Sequence, residues 1–247
     1  MILKSETKSF YDKLNKGKVN RGLLGIDQRF NVNKILKKKN IYDNFVNEIS
    51  PYLSKEKLVL DLGCGPGAFS ISISDKCKEV YAIDIIDDFV KAAKNNAKIY
   101  GKNNIVTKLQ HNNNIPIENN FFDVVFLVDV LHHVEDVESF LIDIKRVLKK
   151  NGFIVIFEPN KLNPLMYLIH LFDYNERGLL KLGRPGIYRK KLKNYFEILN
   201  IKFSGLVIGP ENFIFDLIVK ILKIRVIYFL FGWLMPKISI IGQNSGK

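Results

Sequence analysis

The chain has only two cysteines, Cys64 and Cys77, in 247 residues. That number supports neither a disulfide framework nor a paired metal motif, so a stapled secreted scaffold is excluded and a reducing cytoplasm is the expected compartment. The amino-terminal MILKSETKSF lacks the long apolar segment of a signal peptide. Internal repeats and low-complexity stretches are missing as well. A spanning helix needs about 20 mostly apolar residues. The greasiest segment, NFIFDLIVKILKIRVIYFLFGWLMP, runs uninterrupted only from Val226 to Met235, which disfavours a transmembrane span. Acidic residues are also scarce, 25 against 38 Lys+Arg, giving a formal net charge of +13. Such a balance suits RNA, DNA or an anionic membrane face. Lys, Asn and Ile are abundant together, however, and an A/T-biased genome gives the same composition, so charge alone selects no partner.

What is present is the material of one α/β domain with appendages: 47% hydrophobic and 26% charged residues. Strand-like and helix-like runs alternate from about residue 56 to 160, the pattern of a mainly parallel sheet. Strands are expected at Leu58–Leu62, Glu79–Asp84, Ile105–Leu109, Asp123–Val128 and Phe153–Glu158, and helices at Ala68–Asp75, Asp88–Tyr100 and Val137–Lys149. Asp87 reads as a cap, Gly101 as a helix stop, and Asn151-Gly152 as the end of the helix closing in Lys149-Lys150. Residues 1–55 read as a basic helical cover over the sheet's active edge, and 56–247 as the main domain, interrupted by insertions at 161–188 and 211–236. A helix at Lys190–Leu199 and strands at Ile201–Ile208 and Ile238–Ile241 complete the expectation. In 211–236, Asp216, Lys220 and Lys223 share one helix face. A helix or helical hairpin in a membrane interface, an apolar pocket lining, and packing on the protein's own sheet all fit that pattern.

The stretch VLDLGCGPGAFS, residues 59–70, sets Gly63, Gly65 and Gly67 directly after an apolar strand. Such a turn admits close backbone approach by a ligand at the carboxyl edge of a doubly wound sheet. Gly63 to Ala68 satisfy the dinucleotide fingerprint, with Asp84 roughly 20 residues on to hold a ribose. Asp61 argues against a dinucleotide, because a carboxylate two residues before the first glycine would repel a pyrophosphate. It favours the cationic methionine end of S-adenosylmethionine.

VLDLGCGPGAFS, VYAIDI, NNIPIENNFFDVVFLVDVLHHVED and FLIDIKRVLKKNGFIVIFEPN together resemble, in order and spacing, the class I S-adenosylmethionine-dependent methyltransferases, in particular the broad branch that includes ubiquinone and menaquinone methyltransferases. The resemblance covers about residues 56–160, and ISIIGQNSGK is similar to that fold's last strand. It implies a Rossmann-like, mainly parallel seven-stranded sheet with helices on both faces and an antiparallel last strand. It also implies that Asp61, Gly63, Gly65 and Gly67 surround the methionine and ribose, that Asp84 holds the ribose hydroxyls and that Ile85 packs on the adenine. His111 and Asn112 stand where the family often has an acid and a small residue, and their side chains can still meet the adenine edge. Asp123 matches an acid that is structural in the family. Asp129 would face the cofactor's amino group and the methyl-transfer site, and His132 or His133 would serve as a base toward the acceptor. Neither histidine is convincing as a zinc ligand. Glu158, Asn160 and Asn163 lie at the same edge, as substrate contacts or as parts of a turn.

The expected function is methyl transfer to a small-molecule or lipid-like acceptor under an apolar lid, in the cytoplasm with peripheral contact at the membrane's inner face through 211–236. An RNA methyltransferase using the basic surface is one alternative, although no appended RNA-binding module is visible. A non-catalytic methyltransferase-like protein that binds membrane or a partner is another.

Overall fold

The computed structural model describes residues 30–111, 114–172, 179–206 and 213–246, without the side chains of residues 179 and 213–216. Seven strands, β1 (Leu58–Leu62), β2 (Glu79–Asp84), β3 (Ile105–Leu109), β4 (Phe122–Val128), β5 (Leu148–Pro159), β6 (Glu197–Ser204) and β7 (Lys237–Gln243), form one sheet in the order β3-β2-β1-β4-β5-β7-β6. The pairs among β1 to β5 are parallel, whereas β7 runs antiparallel between β5 and β6. The central strands are apolar at nearly every position because helices cover both of their faces. The sheet therefore matches the expected Rossmann-like, mainly parallel arrangement with its antiparallel last strand.

The helices are α1 (Val32–Lys37), α2 (Ala68–Ile73), α3 (Asp87–Ile99), α4 (Val137–Val147), α5 (Pro164–Phe172), α6 (Leu179–Leu182), α7 (Pro185–Leu192), α8 (Phe213–Leu222) and α9 (Arg225–Phe231). On one face, Phe140, Ile144, Tyr188 and Leu192 from α4 and α7 pack on Leu60, Val125, Ile156 and Ile240. On the other face, α2 and the amino-terminal helical segments cover Val59, Phe126, Val155 and Phe157. Phe45 anchors that layer, with its ring 4.6 Å from Phe69, 5.3 Å from Phe126 and 5.5 Å from Phe157. The described part of the basic cover thus lies mainly on a sheet face and shares its core. Phe30, stacked on Phe89 in the first turn of α3, and Asn40, whose Nδ2 donates to Gly205 O just past the end of β6, reach the carboxyl edge. The remainder of that cover, residues 1–29, falls outside the described residues.

Several boundaries move for local reasons. The cap of α3 is Ile86, whose N–H is received by the Asp84 carboxylate, so Asp87 is the first helical residue rather than the cap. Gly101, at φ +64, does stop this helix, through bonds from Gly101 N to Lys98 O and from Lys102 N to Ala97 O. Helix α4 ends at Val147, not Lys149, because Leu148 already pairs with Phe122 in the sheet. Asn151, left-handed at φ +64, is a bend inside β5. The helix expected at Lys190–Leu199 begins instead at Pro185, a residue suited to a first helical position, and so ends by Leu192. The strand after it correspondingly starts at Glu197 and ends at Ser204, while Val207 and Ile208 of the expected strand lie outside the described residues. The segment 211–236 contains a helical hairpin, α8 and α9. No helix among the described residues is long and apolar enough to cross a membrane.

Candidate active site

The glycine turn leaves β1 and is fastened to the end of β2. Gly63 N and Cys64 N both donate to Ile83 O, at 2.8 and 3.1 Å, and Gly65 N donates to Asp84 Oδ2 at 2.9 Å. Gly63, at φ +80, must be glycine on two counts, since an added Cβ would lie 2.6 Å from Val130 Cγ2. Gly65, at φ +51, faces open space, so a ligand can reach its backbone. Gly67, at φ +87, precedes α2 and sits against Ala93.

Asp61 and Asp84 are both buried beside this turn. Asp61 accepts a 2.6 Å hydrogen bond from Ser70 Oγ, and Asp84 holds Gly65 N and Ile86 N with separate oxygens. Burial lifts Asp61 to about 7, with the Ser70 hydroxyl opposing and the neighbouring Asp84 charge adding. Burial likewise lifts Asp84 to about 6, against the backbone N–H groups of Gly65, Ile86 and Ile85. Among the described residues no lysine, arginine or histidine forms an ion pair with either carboxylate. Two adjoining buried carboxylates without a counter-cation fit a ligand that brings positive charge, and each still has lone pairs for hydroxyl donors. A pyrophosphate would meet repulsion there.

Ile85 is buried directly after Asp84. His111 is exposed beyond the end of β3, and Asn112 lies outside the described residues. Gln110, which the sequence reading passed over, donates its backbone N–H to Asp84 O, and its side-chain amide is buried with no hydrogen-bond partner among the described residues. Its only sequence signal is its place immediately before His111.

Asp129 ends β4 at φ +59, a left-handed conformation that aspartate tolerates better than most residues. Its carboxylate is paired with Lys237 at the start of β7, a partner 108 positions away that no local pattern reveals. The following loop is held by Glu158. That carboxylate is fully buried and accepts Val130 N and Leu131 N at 2.8 Å each, His132 N at 3.3 Å, His132 Nδ1 at 2.7 Å and Tyr188 Oη at 3.3 Å. Burial works against its ionisation, but the His132 charge and hydrogen bond and the N–H groups of Leu131 and Val130 outweigh it and hold Glu158 below the usual carboxylate range. Because the ionised carboxylate only accepts, the bond places a proton on His132 Nδ1. The rings of His132 and His133 are 3.9 Å apart, and His170 of α5 stands 6.1 Å from His132, so three of the four histidines gather here.

Glu158, Asn160 and Asn163 do not offer their side chains to a substrate, because all three are buried and bonded to the protein itself. Asp123 is structural, receiving Leu58 N and Lys149 Nζ at 2.9 Å each. Burial pushes the Cys64 thiol well up and Cys77 to about 12, so neither is a thiolate at neutral pH.

Comparison with known proteins agrees with this geometry. The Methyltransferase domain family matches residues 60–156. A demethylmenaquinone methyltransferase of Tropheryma whipplei (strain Twist) is 32% identical over 162 residues, which are 62% of this chain and 66% of that protein. A ubiquinone biosynthesis O-methyltransferase of Rickettsia akari (strain Hartford) is 26% identical over 182 residues, 70% of each chain. This chain therefore spans just under two thirds of the first relative's length. In fold, the crystal structure of a SAM dependent methyltransferase from Aquifex aeolicus matches 87% of this chain and 99% of its own, with a TM-score of 0.62 at 17% identity. Residues 60–156 thus match a methyltransferase domain, and in fold the chain is similar to Rossmann-like methyltransferase structures.

Proposed function

We propose that the chain uses S-adenosylmethionine to methylate an apolar small-molecule acceptor of the quinone-precursor kind. The observation that carries this reading is the pair of buried carboxylates, Asp61 and Asp84, beside an open glycine turn and without a counter-cation among the described residues. When bound, S-adenosylmethionine supplies an activated methyl group on a cationic sulfur. Asp61, with the backbone of Gly63, Gly65 and Gly67, surrounds the cationic end. Asp84 accepts from the ribose hydroxyls, and Ile85 covers the adenine face. The amide of Gln110, with Asn112 and His111, meets the adenine edge, which would give Gln110 the partners it lacks.

Asp129 and Lys237 form the floor on the acceptor side. His132, held through Nδ1 by Glu158 and packed against His133, is the residue proposed to take the acceptor's hydroxyl proton. The names of the relatives support an acceptor of the quinone-precursor class. Such a molecule partitions into lipid, which supports a site of action at a membrane surface.

Titration calorimetry tests the cofactor half of the reading: S-adenosylmethionine should bind, and Asp84→Ala should weaken it by tenfold or more. Transfer of labelled methyl groups over fractionated lysate tests the acceptor half. Label is expected in the lipid-soluble fraction; label confined to RNA would overturn the acceptor class while leaving the cofactor site standing.

A further inference from the structure

Resting in part on that acceptor class, we infer that α5 and the α8–α9 hairpin together form a docking surface for an anionic lipid bilayer. Helix α9 and the turn after it are amphipathic the wrong way round for a soluble protein. Val226, Phe229, Leu230 and Trp233, at i, i+3, i+4 and i+7, form one stripe, and that stripe faces solvent, with Val226 70% and Phe229 88% exposed. The opposite side is tied down by Tyr228, whose hydroxyl bonds both Phe203 N and Phe203 O. Helix α8 repeats the arrangement, burying Val219 and Leu222 against Met235 while Leu217, Ile218 and Ile221 are exposed. Helix α5 adds a third stripe, Leu165, Leu168 and Phe172, the last 81% exposed.

The stripes from distant parts of the chain are joined at one seam. Asn160 Nδ2 donates to Trp233 O and Met235 O at 2.8 Å each, and Asn163 Nδ2 donates to Leu234 O, which sets the start of α5 against the end of α9. An apolar surface assembled from two separate insertions exceeds the scattered exposed residues of an ordinary monomer.

The occupant is indicated by charge. Between residues 160 and 196 the sequence carries two acids, Asp173 and Glu176, against eight lysines and arginines, and between 211 and 246 two acids, Glu211 and Asp216, against four; of the cations Lys181, Arg184, Lys220 and Arg225 are exposed. A cationic border around an outward apolar stripe, with indole and phenol rings among the apolar side chains, is what an anionic headgroup layer takes. The position also suits supply of a lipid-borne acceptor, since Lys237, four residues after Trp233, pairs with Asp129 at the methyl-transfer edge.

Cosedimentation of the full chain with phosphatidylglycerol vesicles and with phosphatidylcholine vesicles tests the surface, while calorimetry with S-adenosylmethionine monitors the cofactor site in parallel. Binding to the anionic vesicles is expected to be at least tenfold tighter than to the neutral ones and to weaken with salt. Phe229→Glu and Phe172→Glu should each lower it by about tenfold, with the thermal transition and cofactor binding unchanged. Arg225→Gln with Lys220→Gln, which keeps the apolar stripe, should lower anionic binding alone. A parent protein that stays in the supernatant with both vesicles overturns the proposal. So does a stable dimer that Phe229→Glu converts to monomer without altering vesicle binding. Loss of cofactor binding in the parent protein would overturn the methyltransferase reading and leave the vesicle result to stand by itself.

Discussion

Removing Glu158 should unfold much of what the carboxyl edge depends on. Glu158→Ala takes away the acceptor for the backbone N–H groups of Val130, Leu131 and His132, the His132 ring and the Tyr188 hydroxyl, all inside the core. One buried donor left unsatisfied costs about 1–3 kcal/mol, and removing one member of a buried charged pair costs about 3–5 kcal/mol. These donors share one acceptor, so the terms do not add. The expected loss is about 4 kcal/mol, a large part of the ~5–15 kcal/mol typical of a domain. For a chain of this size that is a fall in Tm of about 8–16 °C. Glu158→Gln keeps the volume and one acceptor oxygen. Its amide N–H₂ meets an acceptor only if the His132 ring gives up its Nδ1 proton or the Tyr188 hydroxyl turns to accept, so the expected loss is about 2 kcal/mol. Urea unfolding followed by circular dichroism measures both variants. Because the Glu158 carboxyl is held below its ordinary 4.5, its contribution is full above that pH and fades as pH falls below it, so the gap between parent and Glu158→Gln should stay level from pH 7 to about pH 5 and shrink below 4.5. A loss under about 1 kcal/mol for Glu158→Ala at pH 7 would refute the network as the clamp of this loop.

Asp61 near 7 and Asp84 near 6 both stand above their ordinary 3.8, so the ligand-free protein binds more protons than the unfolded chain between about pH 4 and pH 7, and its stability should fall as pH rises through that window. A cationic ligand prefers the ionised carboxylates; affinity for S-adenosylmethionine should rise with pH from 5.5 to 8 with release of protons, more steeply than for S-adenosylhomocysteine, and equal slopes in calorimetry would contradict the charge argument. Asp61→Asn should raise the thermal stability of the free protein at pH 8 by about 1 kcal/mol while weakening S-adenosylmethionine at least tenfold; a destabilised variant would show that the carboxylate is not strained by its burial. Gly63→Ala, with its Cβ 2.6 Å from Val130 Cγ2 and φ +80, should lose about 2–3 kcal/mol, whereas Gly65→Ala, open but at φ +51, should lose about 1 kcal/mol. Thermal melts that give the two alanine variants equal losses would count against the packing assigned to Gly63.

The sequence carried the first five strands, the glycine turn and the two acids because each is written in neighbouring residues: an apolar run, a turn signal, an acid at a strand end. It did not carry Lys237 on Asp129, because a partner 108 residues away is a product of sheet order, and β7 enters between β5 and β6 rather than at the edge. Glu158 was visible as an acid closing β5, yet its role inverted, because its five donors come from the β4 loop and from α7. The expected start of α7 lies too late because GLLKLGRPG reads as a basic, glycine-containing loop, which hides Pro185 as a first helical residue. The N-terminal cover was read from its charges, while its apolar anchors, Phe45 and Ile49, decide which surface it covers.

The carboxamide of Asn160 grips two carbonyls on either side of Leu234, while its own N–H is received by Pro236. A rivet of this kind leaves the five residues from Trp233 to Lys237 no independent slack. Sideways strain on the exposed rings of α9 must therefore either break several buried bonds at once or arrive undiminished at the ammonium group seated on Asp129.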